Sequence, residues 1–390
     1  MDYKLNFFDP LSAAKFSPPP EPDGSIHCSR VKINQGLIKS VRNLTHDTLE
    51  LVVKCNEGSE SFGGAAGQFA TLKHKDMHQP RAYSFARDPA QEAPGEYTFY
   101  IRLVPGGRFS GWLSEKNRAG ERVTISGALG KFVLDTSNDT MICIAGGSGM
   151  SAIMAILEHA AHQQLKRNAY YFYSARTQQD LYCLDRLKQI ENKWHKDFTF
   201  KFIPTLSREP TNSDWKGVRA RATTHLQEAY LDNKQLDIIH SRAYFCGPPG
   251  MIDTGIKALI KAGMPKEHIY FDKFEDTSSP APAIDNTKCV LCDECLFVKP
   301  TANCIVEISA LHKDDDGNII GYDRVVPGHT SGLYYNSLFI DENECIRCGA
   351  CVEACPAKAI SVNNIRTPKV LRNNSSNKVN DKTHKLNSSK

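Results

Sequence analysis

Four cysteines stand within the twelve residues Cys345–Pro356, CIRCGACVEACP, spaced C-x2-C-x2-C-x3-C with proline directly after the last. No other stretch limits its own fold so tightly, because thiols this close need a common partner. Disulfides require an oxidising compartment and usually a small secreted domain. This chain has 390 residues and begins MDYKLNFFDPLSAAKF, without the basic run and unbroken apolar run of a secretion signal. A cytoplasmic location is expected, and thirteen cysteines there point to metal or redox work. Zinc sites usually pair two short C-x-C units separated by a dozen or more residues. Three cysteines at successive x2 spacings, then Cys-Pro, suit a loop that puts three thiolates on three corners of an iron–sulfur cube. The fourth cysteine then ligates another cluster. Zinc and a thiol redox switch are the alternatives.

That rule demands a second site. Upstream, CVLCDECLFVKPTANC places Cys289, Cys292 and Cys295 at x2 spacing and Cys304 eight residues further on. Exchange of the fourth ligand gives one [4Fe-4S] cluster on Cys289, Cys292, Cys295 and Cys355. The other falls on Cys345, Cys348, Cys351 and Cys304. Residues 284–363 resemble the bacterial two-cluster ferredoxin family. They depart from it in the x8 spacing, in Ile305 standing where proline is expected, and in the roughly forty residues, including a DDDGN turn, between the runs. If Cys304 is not a ligand, that site holds a three-iron cluster or takes a non-cysteine ligand.

A cluster module stores electrons and needs a source. The length fits two to three domains, and the 41% hydrophobic share suffices for real cores. No apolar run is long enough to span a membrane. The net charge of +4 is too small to argue for nucleic acid. Residues 1–25 form an N-terminal extension ending in SPPPEPDG, a stiff linker. From 26 to 136 short alternating segments such as VKINQGLIKSVRNLTHDTLELVVKC and GEYTFYIRLV predict a small antiparallel barrel. From 137 to 275 buried apolar strands alternate with helices, as in TMICIAGGSGMSAIMAILEHAAHQQ, which predicts an α/β domain with a parallel sheet. Residues 276–283 are a linker to a small α+β cysteine domain at 284–363, and the Lys-, Asn- and Ser-rich residues 364–390 read as a disordered basic tail. The fold class expected is therefore multidomain.

Four short motifs stand out. RAYS (Arg81–Ser84) sets a cation, a ring and a hydroxyl on one strand, with Arg81 and Tyr83 on one face and Ser84 on the other. GGRFSGWL (Gly106–Leu113) offers backbone N–H groups and a hydroxyl to phosphate. AGGSGM (Ala145–Met150) lies between a strand and a helix, where glycines let a pyrophosphate approach a helix N-terminus. CGPPGM follows a buried strand at Cys246, on the same sheet edge. Each alone also reads as an ion pair, ring packing or a plain turn. In this order, over residues 28–275, they resemble the ferredoxin–NADP reductase superfamily, and within it the reductase components of bacterial oxygenases.

The resemblance implies an FAD-binding barrel and a nicotinamide-nucleotide-binding α/β domain. It assigns Arg81 to the FAD pyrophosphate, Tyr83 to the isoalloxazine ring and Ser84 to the neighbourhood of flavin N5. Gly106, Gly107 and Ser110 hold the flavin phosphates. Gly146, Gly147, Ser148 and Gly149 cradle the dinucleotide, with Gly247 and Pro248 completing that edge. Cys246 lies near the nicotinamide C4, and Phe274 in YFDKF shields the flavin. The family often has proline where Ala152 stands, which leaves the local helix start open. In YSARTQQDLY, Arg176 favours a 2′-phosphate, as does Arg208, while Asp180 repels one, and the reading leans to NADH. Cys28, Cys55, Cys143 and Cys183 are expected to be packing residues.

The expected function is a relay from NADH or NADPH through FAD to the clusters and out to a protein acceptor. That describes the reductase component of an oxygenase or hydroxylase system, with Ser84 and Cys246 at the hydride step. The alternatives are a general NAD(P)H:ferredoxin-type oxidoreductase, run in either direction, and a reductase whose cluster domain only docks a partner. No nucleic acid and no membrane span are expected.

Overall fold

The computed structural model describes residues 32–56, 58, 64–77, 80–273, 281–299, 303–315, 319–324, 337–342, 344, 345, 347 and 349–362. The expectations for the N-terminal extension, Cys28, Phe274, Cys348 and the basic tail lie outside these residues.

The first domain is the antiparallel barrel. Strands β1 (Lys32–Asn43), β2 (Thr48–Cys55), β3 (Phe69–Lys73), β4 (Arg81–Ser84) and β5 (Glu96–Arg102) come first. Helix α1 (Arg108–Ser114) and strand β6 (Arg122–Leu129) complete it. The sheet order is β4-β3-β6-β1-β2-β5. An antiparallel bridge from Phe85 to Phe99 brings the end of β4 to β5 and nearly closes the sheet. Alternation explains the inside. Leu51, Val53 and Cys55 of β2 point inward with Phe99, Ile101, Val123 and Ile125, while the intervening residues face out. Each such side chain contributes about 1.5–3 kcal/mol by leaving water.

The second domain alternates strands and helices: β7 (Thr140–Gly146), α2 (Met150–His162), β8 (Ala169–Ala175), α3 (Leu184–Lys193) and β9 (Phe200–Leu206), then α4 (Ala222–His225), β10 (Ser241–Gly247), α5 (Pro249–Lys261) and β11 (Ile269–Lys273). All pairings in the order β11-β10-β7-β8-β9 are parallel. The strand order reverses at β7, which has β8 on one side and β10 on the other. A doubly wound sheet binds ligands in the crevice beyond the strand ends at this switch point. Helix α2 begins at Met150, with Ala152 wholly buried inside it, so the missing proline does not displace the helix start.

Two polar clusters hold this arrangement. Beneath the parallel sheet, Asp135 accepts from Arg167 (2.9 Å), Arg242 (3.0 Å) and the Tyr244 hydroxyl (2.7 Å). Between the domains, Glu158 of α2 accepts from Arg87 and from the Asp88 N–H of the barrel side, and also from Arg186 of α3. Arg186 also donates to the Tyr100 hydroxyl on β5.

The cysteine module contains β12 (Ala283–Ile284), α6 (Glu294–Phe297), β13 (Ile305–Lys313), β14 (Ile319–Arg324), β15 (Ser337–Ile340), α7 (Ala350–Ala354) and β16 (Ile360–Ser361). Strands β12 and β16 pair, and a separate sheet has the order β14-β13-β15. Among the described residues the insertion that separates the two cysteine runs contains an antiparallel pair, β13–β14, whose Val306, Ile308 and Ile319 pack with Phe339 of β15. The module does not stand apart. Val298, Ala350 and Ala354 bury against Phe69 and Leu129 of the barrel, with Ala82 packed beside them. No helix among the described residues is long and apolar enough to cross a membrane.

Candidate functional site

The site begins where the barrel meets the switch point. Ser84, at the end of β4, is buried beside Cys246, which is wholly buried near the end of β10. Burial pushes the Cys246 thiol well above its ordinary range, and the neighbouring Asp272 carboxyl pushes it further. Asp272 pairs with Cys246 across the β10–β11 register. Its Oδ2 has no hydrogen-bond partner among the described residues, and burial raises its carboxyl to about 7. The sequence reading passed over Asp272, because a single acid at a strand end carries no spacing signature. Only the strand pairing reveals its neighbours.

The two glycine turns touch at the same place. A Cβ on Gly149 would lie 2.2 Å from the Cys246 carbonyl oxygen. Gly247, at φ +144, lies against Gly146, where an added Cβ would come within 2.9 Å of the Gly146 carbonyl. These glycines therefore let one turn seat on the other. Gly147 (φ +56) and Ser148 lie on the outer side of the turn and are half-buried. The Tyr182 hydroxyl fixes the turn by donating to the Gly147 carbonyl at 3.0 Å. Just inside α2, the buried Ser151 Oγ has no partner among the described residues. An unused hydroxyl at this helix start fits the pyrophosphate of a dinucleotide. Pro248 is exposed at the N-cap of α5.

On the barrel side, Arg81 is half-buried and donates to the Pro80 carbonyl at 3.0 Å. Tyr83 stands 5.5 Å from the Phe109 ring of α1, tilted by 41°. Gly106 takes φ +72 with open space beside it, and Gly107 has no room for a side chain because a Cβ would meet Ser110 Oγ at 2.4 Å. Ser110 Oγ in turn accepts from the Val104 N–H at 3.3 Å. A cation, an aromatic ring and a glycine turn before α1 thus stand on the barrel side, groups whose chemistry suits a flavin nucleotide.

At the other end of the crevice, Arg176 and Arg208 are exposed and adjacent, for the Arg208 N–H donates to the Arg176 carbonyl at 2.8 Å. Asp180 turns inward, capping its own turn through the Thr177 N–H (2.7 Å) and hydroxyl (3.0 Å). Glu209 is similarly engaged by Gln178. The acids are occupied and the two cations face solvent.

The structure brings the described cysteines of both runs together. Cys289, Cys292, Cys295 and Cys355 line one hollow, with about 310 Å³ of atom-free space including its mouth. Burial pushes the Cys295 thiol up to about 12, and the neighbouring Cys289, Cys292 and Cys355 add to it. Cys304, Cys345 and Cys351 share one apolar cluster with Cys289, Cys295 and Cys355, and Cys304 is 4% exposed. The Cys345 thiol is raised by burial and by the nearby Cys304, against a 3.3 Å bond from the Arg347 N–H. Thiols gathered this closely are the donor chemistry of iron–sulfur ligation. Of the remaining cysteines, Cys55 and Cys143 are buried, while Cys183 donates to the Tyr100 hydroxyl at 3.1 Å between the domains.

Comparison with known proteins agrees with this layout. An oxidoreductase FAD-binding domain matches residues 35–134, an oxidoreductase NAD-binding domain residues 143–255, and a 4Fe-4S binding domain residues 338–361. The xylene/toluene monooxygenase electron transfer component of Pseudomonas putida is 36% identical over 61% of this chain and 64% of that protein. The propane 2-monooxygenase reductase component of Rhodococcus jostii is 30% identical over 56% and 58%. The chain thus spans less than two thirds of the length of these two relatives. The ferredoxin–NAD(P)+ reductase component of the naphthalene 1,2-dioxygenase system of Pseudomonas putida is 31% identical over 62% and 69%. Among solved structures, the ferredoxin reductase in carbazole 1,9a-dioxygenase aligns with a TM-score of 0.53 at 27% identity, covering 62% of this chain and 69% of that one. On these matches the chain belongs to the ferredoxin reductase family of FAD- and NAD-binding oxidoreductases, with a 4Fe-4S binding domain at its C-terminal end.

Proposed function

We propose that this chain is an NADH- or NADPH-dependent reductase that works through FAD and two [4Fe-4S] clusters and passes electrons to an outside protein, an oxygenase or hydroxylase component. The observation that carries the reading is the apolar join of Val298, Ala350 and Ala354 to Phe69, Leu129 and Ala82, because β3 and β4 are also the strands that lead to Ser84 and its contact with Cys246. One rigid join serves the cysteine module and the barrel end of the crevice. The names of the relatives, electron transfer and reductase components of oxygenase systems, support the acceptor class.

When bound, the flavin accepts two electrons together and releases them singly, and iron–sulfur centres carry one each. The chain's own residues place and insulate these groups. Arg81 neutralises a pyrophosphate and Tyr83 flanks the ring. Ser84 and Cys246 define the closest approach of nicotinamide to flavin, and Asp272 keeps a carboxyl beside them out of water. The turn at Gly146–Gly149, with Ser151 behind it, holds the dinucleotide. Cys289, Cys292, Cys295 and Cys355 hold one cluster; Cys304, Cys345, Cys348 and Cys351 hold the other.

The test is an anaerobic titration of the purified protein with NADH, following flavin and iron–sulfur absorbance, with iron and labile sulfide counted on the same sample. The reading expects about eight irons per flavin and cluster bleaching after flavin bleaching. Flavin reduction with clusters that neither NADH nor dithionite reduces would overturn it.

A further inference from the structure

The cysteine module uses one backbone device twice. Ile284-Asp285 precedes Cys289, and Ile340-Asp341 precedes Cys345, at the same spacing. The Asp285 carbonyl accepts from the N–H groups of Lys288 and Cys289, both at 3.0 Å. The Asp341 carbonyl accepts from those of Glu344 and Cys345, at 3.1 and 2.9 Å. Each aspartate also ties the two halves together through its own N–H, Asp285 to the Ala359 carbonyl at 2.8 Å and Asp341 to the Cys304 carbonyl at 3.1 Å. The backbones match.

The charges do not. The Asp285 carboxylate is turned outward, bonded by the Thr287 N–H and hydroxyl, and its Oδ2 lies 3.2 Å from Lys288 Nζ. The Asp341 residue is only 7% exposed, and its Oδ2 accepts from the Tyr322 hydroxyl at 3.0 Å. Tyr322 comes from β14, so it is the inserted pair that covers this carboxylate. The position that Lys288 fills in the first half is taken by Glu344 in the second. On this side the Arg347 guanidinium donates to the Cys345 carbonyl at 3.2 Å and Lys299 Nζ to the Ile305 carbonyl at 3.0 Å. Arg324 reaches the Tyr322 hydroxyl, one bond removed from the carboxylate. On the first side, Asp293 and Glu294 keep access to water. Burial decides between these charges, because the same charge acts several-fold more strongly away from water. The Asp341 backbone bonds both Cys304 and Cys345, so its buried carboxylate sits beside two ligand residues.

Resting on the ligand assignment above, we propose that Asp341 holds the centre bound by Cys304, Cys345, Cys348 and Cys351 at a lower reduction potential than the centre bound by Cys289, Cys292, Cys295 and Cys355. A nearby buried negative charge disfavours the added electron. Electrons that the flavin delivers singly therefore settle on the first set, with no bond made or broken. That set reaches the surface, whereas among the described ligands of the other Cys345 is half-buried. Cys292 is exposed, with Val290 and Leu291 exposed beside it, whereas Cys304 and Cys351 are buried. The outside acceptor takes its electrons there.

The test is an EPR-monitored potentiometric titration of the full-length protein carrying Asp341→Asn, with Asp285→Asn as the matched comparison. The expected result is a rise of the lower midpoint by about tenfold in the one-electron equilibrium, about 59 mV, with the upper midpoint unmoved. Asp285→Asn should shift neither midpoint by that amount. A lower midpoint that stays put, two midpoints that move together, or an equal effect of Asp285→Asn overturns the proposal. If Asp341→Asn loses iron, Glu344→Lys carries the test, since it puts a cation where Lys288 stands in the other half. The lower midpoint should again rise, and no rise overturns the proposal. About four irons in the unmutated protein would overturn the ligand assignment itself, and that failure is read from the iron count rather than from the midpoints.

Discussion

The hydroxyl of Ser84 and the sulfur of Cys246 meet across the boundary between the barrel and the parallel sheet. Each is buried at the end of its strand. Ser84→Ala keeps the barrel packing and removes the hydroxyl from the reacting edge. The rate of flavin reduction by NADH, followed by anaerobic stopped flow, should fall by about 10²-fold while flavin content stays unchanged. An unaltered rate would remove Ser84 from the site.

The join between module and barrel should govern the second transfer and not the first. Ala354→Glu places a charge in the apolar contact with Phe69 and Leu129. Flavin reduction by NADH should keep its rate, whereas the following bleaching of the iron–sulfur absorbance should slow by an order of magnitude or more. Equal rates in both phases would mean that the join carries no current.

The two cysteine groups make a pairing prediction. Cys355→Ser should abolish the same EPR signal as Cys289→Ser, although Cys355 lies in the other run, because both line one hollow. Cys304→Ser should instead disturb the signal that depends on Cys345, its neighbour in the fold. Either variant should lower the iron count by about half. Loss of the signals in sequence order, run by run, would contradict the exchange.

Beneath the sheet, Asp135 is the single carboxylate shared by Arg167, which is wholly buried, and Arg242. Burial alone would raise its carboxyl. The bonds from Ser137, Tyr244 and Arg167 outweigh this and hold it well below the usual carboxylate range. A carboxyl whose folded value is depressed contributes stability above its unfolded value near 3.9, and that contribution is lost as pH falls through the folded value. Asp135→Asn should cost about 3–5 kcal/mol at neutral pH by leaving Arg167 without a counter-charge. The gap to the parent should narrow in acid, as read from denaturation of the α/β domain at several pH values.

Nucleotide choice should rest on the exposed pair Arg176 and Arg208. Asp180 and Glu209 are spent on Thr177 and Gln178, so neither directly opposes a 2′-phosphate. The occupied acids weaken the argument for NADH. Arg176→Ala should lower kcat/KM with NADPH by about tenfold or more and leave NADH turnover nearly unchanged. Equal losses with both nucleotides would assign Arg176 to the shared part of the ligand.

Spacing carries the cysteine sets, because three of the four thiols in each lie in one short loop and local chain geometry decides where they point. The barrel and the parallel sheet were legible for a similar reason. The alternation in β2 and the strand–glycine–helix order around Gly146 report local burial and local turn geometry. The roles of Gly149 and Gly247 were only half visible. A glycine turn announces close approach, but what approaches proves to include the other turn.

What the amino-acid sequence by itself determines here is the set of domains, the cofactor classes and the residues offered to them, since each is written in short runs whose physics is local. What only the tertiary structure decided is which of those residues meet. Asp272 joins Cys246 through strand pairing, and the cysteine module joins the barrel through three small apolar residues. Asp285 and Asp341 show the limit most clearly. They hold the same position in the same backbone device, yet the inserted β14 covers one and leaves the other partly exposed. Burial and field strength depend on everything packed around a group, and no window along the chain contains that information.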